Sequence, residues 1–162
     1  MGKKKEVKTN ALRMLDSLHI DYEVHSYEAP EGFLDGVSVA RATGMAVEKV
    51  FKTLVTQGAS REHYVCVIPV ARELDLKKAA RHFGEKKLEM IHARDITQVT
   101  GYIKGGCSPI GMKKQFKTAV DESCKELETI VVSAGKVGLQ MELAPGELLK
   151  AASADTADLT VE

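Results

Sequence analysis

Long apolar runs are missing from this chain of 162 residues. Its longest uncharged stretch, His63 to Ala71, falls well short of the roughly 20 residues needed to cross a bilayer, which excludes a membrane-spanning helix. The N-terminal Met1-Gly2-Lys3-Lys4-Lys5 carries no apolar core of a signal peptide, and Glu6 stands where a myristoylation site needs Ser or Thr. A cytoplasmic location is therefore expected. Net charge is missing too: 23 basic and 23 acidic residues cancel, so the molecule exerts no long-range pull on a polyanion and any nucleic-acid contact must be local. Cysteine is scarce. Cys66, Cys107 and Cys124 form an odd set with no Cys-x-x-Cys pair, which argues against a disulfide framework or a structural zinc site. The five histidines, His19, His25, His63, His82 and His92, show no metal-ligand spacing. Pro- or Ser-rich linkers, low-complexity tracts and internal repeats are also lacking. With 44% hydrophobic and 28% charged residues, the composition is that of one soluble globular domain over residues 1–162, with 1–8 as a flexible basic tail.

What is present reads as a mixed α/β chain. Ala11, Leu12, Leu15 and Leu18 recur at helical spacing behind Thr9, which predicts an amphipathic first helix. Tyr22 to Tyr27 alternates as a half-buried strand, and a short helix is predicted from Ser38 to Thr43. Val50 to Thr56 and Tyr64 to Val70 read as two strands of a hairpin turned by Gly58 to Glu62. Asp75 caps a helix that ends at Gly84. A short strand near Leu88 to Ile91 and a helix from Arg94 to Thr100 follow. Strands are predicted at 116–121, 129–133 and 139–143, and Pro145 opens a last helix. The sum is six or seven strands and about five helices, a mixed sheet with a barrel-like curl rather than alternating βαβ units.

Two features stand out chemically. Lys52 shares a strand face with Val50 and Leu54, so its ammonium either snorkels at the sheet rim or points into a cavity to meet an anion. Between Gly101 and Gly111 lie four glycines and Pro109, followed by Met112-Lys113-Lys114. Such a stretch is either a binding loop with bared peptide groups or a tight connection between core elements. It is no phosphate-binding P-loop, because Met112 sits where the lysine must follow the last glycine. Nor is it a Gly-x-Ser-x-Gly nucleophile elbow, since it is one residue too long and Pro109 removes an N–H after Ser108. Basic clusters at Lys3 to Lys5, at Lys77, Lys78 and Arg81, at Lys86 and Lys87, and at Lys113, Lys114 and Lys117 are each either a solvated face or a contact patch.

Phe51-Lys52-Thr53-Leu54, Gly101-Tyr102 through Gly111-Met112-Lys113-Lys114 and Ser133-Ala134-Gly135-Lys136 together resemble the signature of the YbaK/EbsC family. These are aminoacyl-tRNA deacylases related to the editing domain of prolyl-tRNA synthetases. The likeness runs from about Thr9 to Thr160 and leans toward the Cys-tRNA(Pro) deacylase branch. It implies a barrel-like mixed sheet, trans-editing of mischarged Cys-tRNA(Pro), the tRNA acceptor end and prolyl-tRNA synthetase as partners, and no cofactor or metal. Lys52 would be the essential cation meeting the terminal ribose and phosphate, and Thr53 would help to hold the terminal adenosine. Gly105 would position the substrate through its carbonyl, with Gly106, Ser108 and Pro109 fixing that geometry. Tyr27, Phe33 and Ser133 match family pocket positions. Val137 departs from the family, which often has a basic residue there. In the family's proposed mechanism the cysteinyl thiol attacks its own ester, so no protein nucleophile is required, and Cys107 is not expected to be one. The alternatives are an inactive tRNA- or synthetase-binding module, a deacylase of another mischarged tRNA such as Ala-tRNA(Pro), and a thiol regulator built on Cys107.

Overall fold

The computed structural model describes residues 8–28 and 36–162. Residues 1–7 of the basic tail and Phe33 lie outside the described residues, while Lys8, the last residue assigned to that tail, pairs with Asp16 at 3.0 Å and donates to the Tyr22 hydroxyl. Along the chain run α1 (Asn10–Ser17), β1 (Glu23–Ser26), α2 (Gly36–Thr43), β2 (Phe51–Gly58), β3 (His63–Pro69), α3 (Leu76–Phe83), β4 (Leu88–Met90) and α4 (Ile96–Thr100). They are followed by β5 (Lys117–Asp121), β6 (Ile130–Lys136), β7 (Leu139–Leu143), α5 (Pro145–Ala152) and β8 (Asp155–Ala157). The caps read in the sequence are in place. Thr9 Oγ1 accepts from Leu12 N–H at 3.2 Å, Asp75 accepts from Lys77 and Lys78 N–H, and Gly84 closes α3 in the left-handed conformation.

The strands form two sheets, a three-stranded one in the order β1-β7-β6 and a five-stranded one in the order β4-β2-β3-β5-β8. The second is mixed: β2-β3 and β2-β4 are antiparallel, β3-β5 and β5-β8 parallel. The mixed α/β architecture expected from the sequence is what the structure shows, built as two sheets, and the described strands do not close into a barrel. β2 and β6 are joined by a single bridge, Val50 with Val131, and the two sheets part beyond it. Eight strands replace the six or seven expected. The additional one, β8, is three residues long and too short for alternation to show; it is held by pairing beside β5.

β3 explains why Tyr64 to Val70 is apolar without alternation. Val65 and Val67 pack into the main core with Leu15, Ile110, Ile130 and Met141. Tyr64, Cys66 and Ile68 pack on the other side with Leu159 and α3. A strand buried on both faces has no polar side to show. Burial pushes the Cys66 thiol up to about 12, and it behaves as a small core hydrophobe.

The glycine-rich segment is braced internally by Tyr102, whose hydroxyl donates to the Ile110 carbonyl at 2.7 Å. Gly111 (φ +78°) lies against it: a methyl there would fall 2.5 Å from the Tyr102 hydroxyl and 2.8 Å from the Ala11 nitrogen at the start of α1. Gly111→Ala is expected to cost about 2–4 kcal/mol in urea denaturation. Gly44→Ala, at a similar φ but with open space around it, is expected to cost only about 1 kcal/mol.

Candidate functional site

The site begins with an unpaired backbone edge. β2 meets β6 at Val50 and β4 from Thr56 onward. Between these points Lys52, Thr53 and Leu54 have β3 on one side and, among the described residues, no strand on the other. A cavity of about 860 Å³ opens at this gap. Its walls come from β2, from α2, from the β4–α4 connection and from the glycine loop, with Tyr27, Ser133 and Gln140 contributed by the three-stranded sheet.

Lys52 lies half-buried in that wall. Burial lowers its ammonium below the ordinary lysine range, and the charge of Glu73 only partly opposes this. No hydrogen bond or ion pair joins Lys52 to another described residue. The arrangement decides between the two readings of this lysine, because the side chain lines a cavity instead of the outer rim. Beside it, Thr53 Oγ1 is buried without a hydrogen-bond partner among the described residues. Arg41 reaches the same cavity because Val39 and Ala40 seat α2, Ala40 packing with Val50, Val70 and Val131. Lys104 lines it from the loop. Three cations and no carboxylate thus line the cavity among the described residues.

The loop is held at both ends and in its middle. Gly101 (φ +87°) ends α4, Lys113 N–H donates to the Thr100 carbonyl at 3.0 Å, and Gly106 N–H closes a turn on the Ile103 carbonyl at 3.0 Å. Gly105 faces the cavity. Gly106 is buried against the β6–β7 turn, where a methyl would come within 2.8 Å of the Val137 nitrogen. Ser108, Pro109 and Ile110 are buried below the loop. The structure therefore gathers Tyr27, Lys52, Thr53, Gly105 and Ser133 around one cavity, whereas Gly106, Ser108 and Pro109 form the footing that presents Gly105. Val137 touches the loop through its backbone. Lys113 and Lys114 are exposed and lie outside the cavity wall.

Sequence reasoning missed Arg41, Lys104 and Gln140. Lys104 sat within the singled-out loop and was the one with a usable signal. The other two reach the cavity through α2 packing and the β6–β7 register, which no local pattern encodes. Cys107 also lines the cavity, yet burial pushes its thiol up to about 11 against a hydrogen bond involving Thr100. A thiol that stays protonated at neutral pH is a poor nucleophile, so the Cys107 regulator is not supported.

A partly buried strut braces the wall. Glu142 accepts from Lys49 Nζ at 2.7 Å and from Thr129, and pairs with His25 Nε2 at 2.8 Å. Burial alone would raise this carboxyl; the hydrogen bonds from Lys49, Thr129 and His25 override it and hold Glu142 at about 2. The strut ties the approach to β2 onto β7 and β1. Glu23, His25 and Glu142 offer ligand atoms within 4.8 Å of one another, a grouping that histidine spacing in the sequence did not reveal. Lys49 already supplies the cation there.

Fold and cavity define a class: a two-sheet α/β protein with a cation-lined cleft at a split in its sheets. The chain belongs to the aminoacyl-tRNA editing domain family, whose pattern matches residues 35–151. The activity that goes with this membership is aminoacyl-tRNA deacylation, hydrolysis of an ester bond. The chain is 46% identical, over 100% of its length and 99% of the relative's, to an Enterococcus faecalis protein named "Putative Cys-tRNA(Pro)/Cys-tRNA(Cys) deacylase EbsC". It is 30% identical to the proline–tRNA ligase of Thermosipho africanus over 58% of this chain and 16% of the ligase. A solved structure described as "a putative trans-editing enzyme for prolyl tRNA synthetase" shares the fold with a TM-score of 0.81 at 24% identity, covering 97% of this chain and 100% of that one. No helix among the described residues is long and apolar enough to cross a membrane.

Because burial of the Lys52 ammonium opposes folding, Lys52→Met is expected to leave the urea midpoint at pH 7 unchanged or raised. The sign follows from the lowered pKa: the cost is present while the folded-state lysine is charged and fades as pH rises toward the unfolded lysine value. A clear drop in the midpoint would mean that Lys52 is a structural partner.

Proposed function

We propose that this chain is a trans-editing deacylase that clears mischarged Cys-tRNA(Pro) in the cytoplasm. The observation that carries the proposal is the half-buried Lys52 in a cavity that also holds Arg41 and Lys104 and no lining carboxylate among the described residues. Such a pocket suits the anionic end of a nucleic acid, and a cation with reduced solvation gains most from meeting one. The whole-length likeness to a protein named as a deacylase of Cys-tRNA(Pro) and Cys-tRNA(Cys) supports the substrate class.

In this reading Lys52 meets the terminal ribose and phosphate, Thr53 holds the terminal adenosine and the Gly105 carbonyl positions the ester. The footing of Gly106, Ser108 and Pro109 keeps that carbonyl in place. Tyr27 and Ser133 complete the wall. The absence of a protonatable nucleophile–base pair among the described lining residues suits a reaction in which the substrate attacks itself. The cysteinyl sulfur bonds to the ester carbon, the carbon–oxygen bond to the ribose breaks, and the thiol proton passes to the departing ribose oxygen. A cyclic thiolactone leaves and the tRNA is freed. Lys52 and the fixed loop dipoles stabilise the charge that develops on oxygen. As the molecule has no net charge, few phosphates are neutralised and tRNA selectivity comes from a complex with prolyl-tRNA synthetase.

Deacylation of Cys-tRNA(Pro), Cys-tRNA(Cys), Ala-tRNA(Pro) and Pro-tRNA(Pro) tests this directly. The cysteinyl esters are expected to be cleaved and Pro-tRNA(Pro) spared. Lys52→Ala is expected to lose about 100-fold or more in rate, while Cys107→Ala keeps its activity. Full activity in Lys52→Ala contradicts the assignment. Tight binding of tRNA(Pro) alone in physiological salt contradicts the role given to the synthetase.

A further inference from the structure

A neutral amide closes the floor of the cavity. Gln140 is only 6% exposed and lines the cavity, and its Oε1 has no hydrogen-bond partner among the described residues. A buried carbonyl oxygen left without a donor is costly, and a site that keeps one is completed by something else. The strand register sets Gln140 opposite Ser133 on β6 and His25 on β1. Gln140 and Ser133 therefore share a face and make a polar floor. Neither neighbour satisfies the oxygen: the His25 ring faces Glu142 at 2.8 Å, and Ser133 Oγ accepts from the Gly135 N–H at 3.1 Å.

The polar groups are graded with depth. Arg41 and Lys104 are exposed, Lys52 is half-buried, and Gln140 is buried. A polyanion that carries an acyl group at its tip enters with its phosphate at the cations and its acyl group at the floor. The strong donor on an aminoacyl group is its α-amino nitrogen. Since the described lining carries no carboxylate, that nitrogen meets a neutral acceptor.

We propose that Gln140 is a specificity-determining residue that accepts a hydrogen bond from the α-amino group of the bound aminoacyl ester, so that the cavity selects amino acids over other acyl groups. This rests on the deacylase reading above. The test is single-turnover deacylation of two tRNA esters that differ only in the amino group, cysteinyl-tRNA and 3-mercaptopropionyl-tRNA. Wild type, Gln140→Met and Gln140→Leu are compared, with urea midpoints checking that each variant folds. Intrinsic differences in ester reactivity cancel when the rate ratio of the two substrates is compared between proteins. In Gln140→Met the preference for the cysteinyl ester is expected to fall by about 10-fold or more, through loss on that ester alone. Gln140→Leu should behave alike. An unchanged ratio, whether both esters slow equally or neither slows, overturns the inference and leaves the deacylase reading standing. A wild type that cleaves neither ester overturns both.

Discussion

Everything at the site depends on an edge of β2 that no described strand covers. Val50 is tied to β6, and Val55 and Thr56 to the β4 segment, and Lys52, Thr53 and Leu54 between them face a gap. A continuous sheet would bury this edge in ladder hydrogen bonds and leave Lys52 at a rim. The split leaves it in a cavity wall instead, where partial loss of water lowers its pKa. The Glu142 strut with Lys49 and His25 keeps the two sheets at a fixed separation around that gap.

The loop contributes geometry rather than chemistry. Its glycines are used where backbone meets backbone: Gly106 against the Lys136–Val137 turn and Gly111 against the start of α1. Tyr102 links the loop's two halves. The result is a rigid platform that offers Gly105 to the cavity while Ser108 and Pro109 stay buried beneath it. Charge on this neutral molecule is local in the same sense, with Arg41, Lys52 and Lys104 gathered in one place by three separate elements.

The helices with good caps, α1 and α3, and the β2–β3 hairpin were legible because their signals are local: a capping side chain, an apolar period, a turn. The loop was legible as unusual from composition, and Lys52 as anomalous from its strand face. Closure of the sheet was not legible, since strand order and the single Val50–Val131 bridge depend on contacts between distant segments. β8 was too short to leave a pattern. Lys104 stood next to the recognised Gly105 and went unread because loop lysines are usually solvated. Arg41 and Gln140 are ordinary residues in ordinary elements, and only packing brings them to the cavity. Tyr27, Lys52, Thr53, Gly105 and Ser133 were all named from the sequence, and for the pocket roles of most of them the family resemblance did the work that residue chemistry alone did not.

Lys52 is a partly desolvated ammonium in the cavity wall, and its own titration tests most directly whether an anion is the partner it lacks. With lysines labelled by reductive 13C-methylation and Lys52 assigned through Lys52→Arg, the NMR titration is followed with and without an acceptor-stem minihelix. Lys52 should titrate below the ordinary lysine range in the free protein and move upward when the minihelix binds. An ordinary value that does not move on binding would contradict the account.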